Sequence, residues 1–134
     1  MSDILIKDLN YIYKNNNSNS FFKDKIILIT GASGFLGSYF SNYFSYFVHN
    51  LEIKKIILVD ININKIKKNL LKIPKNKCEF LNCDITKKNS KFFKLKKIDI
   101  IIHAASIASP TYYRKNPLLT AEANVDGLKN ILNF

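Results

Sequence analysis

The sequence predicts an α/β protein, the first half of a doubly wound parallel sheet with strand order 3-2-1-4. Three observations predict it. Four short apolar runs, at residues 25–30, 54–60, 78–84 and 98–105, are separated by stretches of helical spacing or by turn residues. The first run stops at Thr30-Gly-Ala-Ser-Gly-Phe-Leu-Gly37, a glycine-rich turn leading into a helix. The second run ends in an acid, Asp60, 23 positions after Gly37. In such a sheet the binding crevice lies at the carboxyl ends of the strands, where the order reverses between strands 1 and 4.

The elements follow in order. Residues 1–14 suit a short helix that Ser2 or Asp3 can cap, with Leu5, Leu9 and Ile12 on one face. Residues 15–20 are polar and of low complexity, a loop. Residues 1–24 are thus a helix and linker preceding a partial domain at 25–134. Lys25 to Thr30 is a strand buried on both sides, as in a parallel sheet. Phe35 to about Val48 is the next helix, with Leu36, Phe40, Tyr43, Phe44 and Phe47 as its apolar stripe; that stripe reads as core packing, and His49 as a surface residue. Lys54 to Asp60 is the second strand, and Ile63 to Leu71 a helix stopped before Pro74. Cys78 to Asp84 is a third, more mixed strand that suits a sheet edge. A short helix in the basic segment after it leads to the fourth strand, Ile98 to Ala105, in which His103 reads as a packed residue rather than a base. Residues 106–116 form a loop, and Pro117 opens a last helix running to Asn133.

Composition bounds the function. The chain has 134 residues, 47% apolar, enough for one core. No apolar run is long enough to span a bilayer and residues 1–4 have no signal-peptide layout, so a cytoplasmic location is expected. Cys78 and Cys83 fall in one strand on opposite faces and read as packed thiols, with no histidine cluster to complete a metal site. The charge of +11 raises the question of nucleic acid. The lysines, however, fall opposite the apolar residues of Ile63–Leu70, and in 87–97 they alternate with core candidates, so a solvated surface is the expected reading. Neither nucleic acid nor a membrane is an expected partner.

The glycine turn carries the chemistry. Gly31 allows a tight turn at the strand end, Gly34 lets backbone approach an anion, and Gly37 lets the helix pack close to the strand. The free amides at that helix's start then suit a pyrophosphate. The spacing is G-x-x-G-x-x-G, weaker alone than in its strand–helix context. A phosphate-loop triphosphatase needs Gly-Lys-Ser/Thr, and Gly37-Ser38 has no lysine between. Asp60 stands where an acid meets an adenosine ribose, roughly 20 residues on, the alternative being a helix N-cap. A carboxylate there favours NAD over NADP, and Ile61 beside it is no phosphate-recruiting arginine. Asp84 is placed for adenine or for capping the turn at Ile85-Thr86. The small residues Ala104, Ala105 and Ser106 let a cofactor lie against the strand end.

Together the glycine motif, Asp60, Cys83-Asp-Ile85, His103-Ala-Ala-Ser106 and Asn124-Val-Asp-Gly127 resemble an extended short-chain dehydrogenase/reductase. More narrowly, they resemble the NAD-dependent epimerase/dehydratase family of nucleotide-sugar enzymes. Residues 105–117 are similar to a loop of UDP-glucuronate decarboxylases and dTDP-glucose dehydratases. The resemblance implies a Rossmann-type fold and the cofactor NAD. It implies Gly31, Ser33, Gly34, Phe35, Leu36 and Gly37 at the pyrophosphate, Asp60 and Ile61 at the ribose, and Asp84 and Ile85 at the adenine. Ala104, Ala105 and Ser106 would line the way to the nicotinamide, Pro110 and Tyr113 would approach a sugar nucleotide, and Asn124 would brace the fourth strand.

One departure matters. The family's chemistry uses a Tyr-x-x-x-Lys pair, the lysine lowering the tyrosine pKa. None of the seven tyrosines here has lysine four positions later. No catalytic residue is assigned. The fourth strand is apolar like an interior strand, yet no fifth strand is read after it, so its free edge should be sticky. The expectation is the NAD-binding portion of a truncated or split enzyme. It would act on a nucleotide sugar once the remainder is supplied, and a second chain or a homodimer is the expected protein partner. The alternative is a dinucleotide-binding module without enzymatic activity.

Overall fold

The computed structural model describes residues 2–87 and 97–133. Ile26–Thr30 (β1) is the centre of the architecture: Ile27 to Thr30 are fully buried. Lys55–Asp60 (β2) pairs with it in parallel on one side, and Ile100–His103 (β4) does so on the other. Cys78–Asn82 (β3) pairs with β2 at the sheet edge, so the order is β3-β2-β1-β4, as the sequence predicts. Runs of isoleucine, leucine and valine give each central strand two apolar faces.

One face is covered by three helices: Ser2–Asn15 (α1), Phe35–Tyr46 (α2) and Ile63–Asn69 (α3). They bury Leu9, Phe44, Phe47 and Ile66 against Ile27, Ile29, Ile56 and Leu58. Leu9 is fully buried, which contributes about 2 kcal/mol. Tyr13 of α1 stacks on Phe47 at 4.3 Å between ring centroids. The face of α1 is therefore Leu5, Leu9 and Tyr13, while Ile12 is exposed. The opposite face joins Leu28, Ile57 and Val59 to Cys83, Ile85 and Ile131.

Helix α2 departs from its expected stripe. Tyr43, Phe44 and Phe47 are buried, but Leu36 and Phe40 face solvent. The side against the sheet is the small row Gly37, Ser41 and Ser45, all buried and spaced four apart. Small residues bring the helix axis close to the strands, which turns the bulky residues to the flank. The helix ends at Tyr46, with Phe47 and Val48 buried beyond it. Asn42 ties α2 to the end of α3: its amide nitrogen donates to the Asn69 carbonyl at 3.3 Å, and its oxygen accepts from the Leu71 amide at 2.8 Å.

Other boundaries shift. Cys83 and Asp84 lie past β3, and Ala104 and Ala105 past β4, because the strands stop where pairing stops. Cys78 and Cys83 are free thiols serving opposite faces. Burial pushes the Cys78 thiol up to about 11. The expected loop at 106–116 holds a helix, Pro110–Lys115 (α4), with proline in the first turn where its missing N–H costs nothing. The last helix is divided into Pro117–Ala121 (α5), a π-helical stretch Glu122–Asp126, and Gly127–Leu132 (α6). The short helix expected between β3 and β4 falls within residues 88–96, outside the described residues. At the start of β4, Asp99 accepts the Ile26 amide at 2.8 Å. That bond, aided by Lys97, holds its carboxyl below the usual carboxylate range.

The Ser45 hydroxyl is buried and makes no hydrogen bond. Ser45→Ala is expected to stabilise the protein by about 1 kcal/mol, or to be neutral, because an unsatisfied buried group is removed and helix propensity rises. A thermal melt rising by roughly 3–5 °C would show it, and a fall of similar size would contradict it.

Candidate functional site

Gly31 is the hinge on which the site turns. Its φ is +63°, and a Cβ there would sit 2.6 Å from the Ala104 carbonyl and the Ala105 backbone. Only glycine fits both constraints. The chain then folds back, the Gly34 amide donating to the Gly31 carbonyl at 2.9 Å, and α2 starts at Phe35 with no side chain capping it. The first-turn amides of α2 have no intrahelical acceptors by construction, and the helix dipole adds positive potential there. Gly37 packs directly on Gly31: an added Cβ would meet the Gly31 carbonyl carbon at 2.7 Å and Ala32 Cα at 3.1 Å.

Asp60 closes the other side. One carboxylate oxygen accepts the Ser33 amide at 2.8 Å and the other accepts the Asn62 amide at 2.9 Å. The side chain is buried to 8% exposure at the end of β2. It is not the cap of α3, since Asn62 takes that part by accepting the Lys65 amide at 3.1 Å. The acid therefore latches the glycine turn to the neighbouring strand and forms part of the cleft wall. Asp84 caps its own turn, accepting the Thr86 amide at 3.0 Å and the Thr86 hydroxyl at 2.8 Å. Ile85, a residue of the second core face, packs on Gly127.

These elements enclose a cleft of about 460 Å³ at the carboxyl ends of the strands. Of the residues expected from sequence, Gly31, Ser33, Gly34, Asp60, Ile61, Asp84, Ile85, Ala104, Ala105 and Ser106 line it. Phe35, Leu36 and Gly37 do not; Phe35 and Leu36 are exposed, 92% and 61%, so only their backbone can serve a ligand. Pro110 and Tyr113 sit on α4 outside the lining, while Tyr112, one residue earlier, is in it. Asn124 is exposed and does not brace β4; the side-chain tie from this region runs from the Asn130 amide to the Ile85 carbonyl at 2.9 Å. Val59, Cys83, Thr86, Lys87, Ile107, Leu119, Glu122 and Ala123 also line the cleft. Of these, only Cys83, in the Cys83-Asp-Ile85 motif, and Thr86, two residues after an Asp, had a local signal. The others arrive through the sheet order and the final helix.

Behind the cleft, Thr30 and His103 meet across the β1–β4 register. The Thr30 hydroxyl and His103 Nδ1 lie 2.8 Å apart, and His103 Nε2 is buried without a partner. Burial pushes the imidazole below its ordinary 6.5. Among the described residues no group of three or more His, Cys, Asp or Glu side chains could hold a metal ion, and no helix is long and apolar enough to cross a membrane.

The arrangement can hold a phosphate anion on backbone amides, a diol on a carboxylate and a flat base over Ile85. Residues 27–134 match the model of the NAD dependent epimerase/dehydratase family. UDP-glucuronic acid decarboxylase 6 of Arabidopsis thaliana is 32% identical over 119 residues, covering 88% of this chain and 32% of that enzyme. Two solved structures share the fold. The dTDP-glucose 4,6-dehydratase DesIV of Streptomyces venezuelae, solved with NAD bound, has a TM-score of 0.67 and 21% identity over 81% of this chain and 34% of its own. The Bordetella bronchiseptica enzyme WbmF, solved with NAD+, has a TM-score of 0.67 and 20% identity over 85% and 33%. The chain spans about a third of the length of the curated relatives it matches.

Two outcomes test this geometry. Gly37→Ala gains about 1 kcal/mol of helix propensity but drives a methyl into fixed backbone. A net loss of about 1–3 kcal/mol in denaturant unfolding is expected. For His103, whose folded pKa is depressed, the neutral form suits the fold. Above pH 6.5 both states are neutral and nothing is lost; as pH falls below 6.5 the unfolded chain binds the proton first and stability declines. Melting temperature should therefore fall more steeply between pH 7.5 and about 5 in the native sequence than in His103→Asn. Equal slopes would contradict it.

Proposed function

The chain belongs to the NAD-dependent epimerase/dehydratase family, and on that premise we propose that it forms the NAD-binding portion of a nucleotide-sugar epimerase, dehydratase or decarboxylase. The observation that carries the reading is the Asp60 carboxylate latched to the Ser33 amide at the lip of the cleft, beside the uncapped start of α2. A dinucleotide pyrophosphate would rest on the first-turn amides of Phe35, Leu36 and Gly37, where the absence of a side chain on Gly34 leaves room for it. Its adenosine ribose would share the Asp60 oxygens with the two backbone amides, and a 2′-phosphate there would be repelled. Ile61 would cover the ribose. Asp84 and Ile85 would meet the adenine, with Ala104, Ala105 and Ser106 leading toward the nicotinamide. When bound, NAD supplies a hydride acceptor for a sugar hydroxyl carbon.

Proton transfer is the remaining requirement. The seven tyrosines lack the Tyr-x-x-x-Lys spacing, so we assign the acid–base step to residues beyond these 134. Pro110 and Tyr113 on α4, with Tyr112 inside the cleft, stand on the side from which a sugar nucleotide would enter. The tyrosine spacing also favours a second reading, binding of NAD without turnover. Conversion of UDP-glucuronate once a Tyr-x-x-x-Lys-bearing remainder is joined to the chain, with NAD regenerated, would exclude that reading.

Isothermal titration of the chain with NAD and with NADP is the direct test. NAD is expected to bind roughly tenfold or more tightly than NADP, with Asp60→Asn erasing that preference and weakening NAD by about 1–3 kcal/mol. Equal affinity for both dinucleotides, unchanged by Asp60→Asn in a variant with native circular dichroism, would overturn the assignment.

A further inference from the structure

The parallel strand order gathers charges that the sequence keeps apart. All four strands start at the end of the sheet opposite the cleft, and lysine precedes each start: Lys25 before β1, Lys54 before β2, Lys75 and Lys77 before β3, and Lys97 before β4. Hydrogen bonds join these starts into one surface. Lys77 Nζ donates to the Ile53 carbonyl at 2.6 Å, the Lys54 amide donates to the Lys25 carbonyl at 3.0 Å, and the Ile26 amide donates to Asp99 at 2.8 Å. Glu52, Glu79 and Asp99 pair with Lys23, Lys55 and Lys97, solvent-facing pairs that contribute little. Lys54 and Lys75 are exposed and make no ion pair among the described residues. One aromatic ring stands in the same surface. Phe21, in the turn that leads to Lys23 and Lys25, is 59% exposed and meets Phe22 edge-on at 5.5 Å between ring centroids.

We propose that this lysine rim is a docking surface for single-stranded nucleic acid, with phosphates on the lysines and a base stacked on Phe21. Neighbouring strands lie about 4.8 Å apart, so the four starts span roughly 15 Å, room for about three phosphates of an extended strand. An acidic peptide would use the same lysines but has no need of a ring left in water, and Phe21 is what favours a base. The expectation of no nucleic-acid partner weighed the lysines of 63–70 and 87–97, and all of this set except Lys97 lies outside both stretches. No single segment shows the rim, because its members come from four separate turns. The proposal does not depend on what the cleft binds, since the cleft lies at the other end of the strands.

Fluorescence polarisation of a labelled oligouridine of about 12 nucleotides, titrated with the whole chain, tests it. A micromolar dissociation constant is expected at about 50 mM salt, weakening about twentyfold by about 200 mM as roughly three phosphates are neutralised. Lys54→Glu combined with Lys75→Glu should weaken binding about tenfold or more. Lys65→Glu combined with Lys129→Glu makes the same charge change at exposed helix positions and should weaken it no more than about threefold. Phe21→Leu, which keeps apolar bulk without a stacking ring, should weaken it roughly fivefold. Circular dichroism checks each fold, and Lys54→Gln combined with Lys75→Gln gives the same reading, about half as large on a logarithmic scale, if the glutamates disturb the chain. Absence of binding up to about 100 µM would overturn the proposal. So would equal losses in the two glutamate pairs, which would make the attraction a property of net charge alone. Indifference to Phe21→Leu, or displacement of the oligouridine by polyglutamate at matched charge, would overturn nucleic acid as the partner in favour of an acidic peptide.

Discussion

The structure depends on one close approach, that of the α2 backbone to the turn after β1. Gly37 rests on Gly31, and Gly31 rests on the backbone of Ala104 and Ala105, so three segments meet with no side chain between them. Close packing of this kind leaves no slack. It fixes the direction in which the α2 amides point. It also brings Ser33 within reach of Asp60, which converts a strand-end acid into a bond between two loops. The small row Gly37, Ser41 and Ser45 carries the same approach down the helix, and the phenylalanines fill what remains at the flank.

Most of the fold was legible in the sequence because its signals were local. Apolar runs of five or six residues, a glycine turn and helical spacing place the strands, and the parallel order follows from the alternation. The α2 face was misread because counting apolar residues overlooks serines that face a sheet. Helix α4 was missed because a proline that reads as a loop residue also suits a first helical turn. The site divides the same way. Glycines and acids at strand ends announce themselves by offset, and ten expected residues do line the cleft. Tyr112 in place of Tyr113 is a matter of helical phase, which a loop assignment cannot supply. Leu119, Glu122 and Ala123 enter only because the last helix returns over the strand ends. Asn124 fails as a brace because it lies on the exposed side of the π-helical stretch.

Among the described residues the two faces of the sheet are unevenly supported. Helices α1, α2 and α3 cover one, with Leu9 reaching in from a helix that precedes the family-matched residues. On the other, Ile131 and the turn at Cys83–Ile85 are the buried partners of Leu28, Ile57 and Val59 among the described residues. Strand β4 is half-buried along its whole length, although its residues are as apolar as those of β1. The site thus sits between a well-anchored strand and a lightly anchored one. That placement suits a crevice, because local opening concentrates where few apolar contacts hold.

The strand order has a consequence in time. β1 cannot be hydrogen-bonded on both sides until β4 exists, and the Ile26–Asp99 bond closes a loop of 73 residues. The contacts of β1 with β2, and of β2 with β3, span much shorter separations. Loop-closure entropy therefore favours assembly of β1, β2 and β3 first, with β4 docking afterwards. The cleft lies at that last seam. A nascent chain would hold its glycine turn and the Asp60 latch in place well before the far wall arrives, with the rate of completing the pocket set by the longest loop in the sheet.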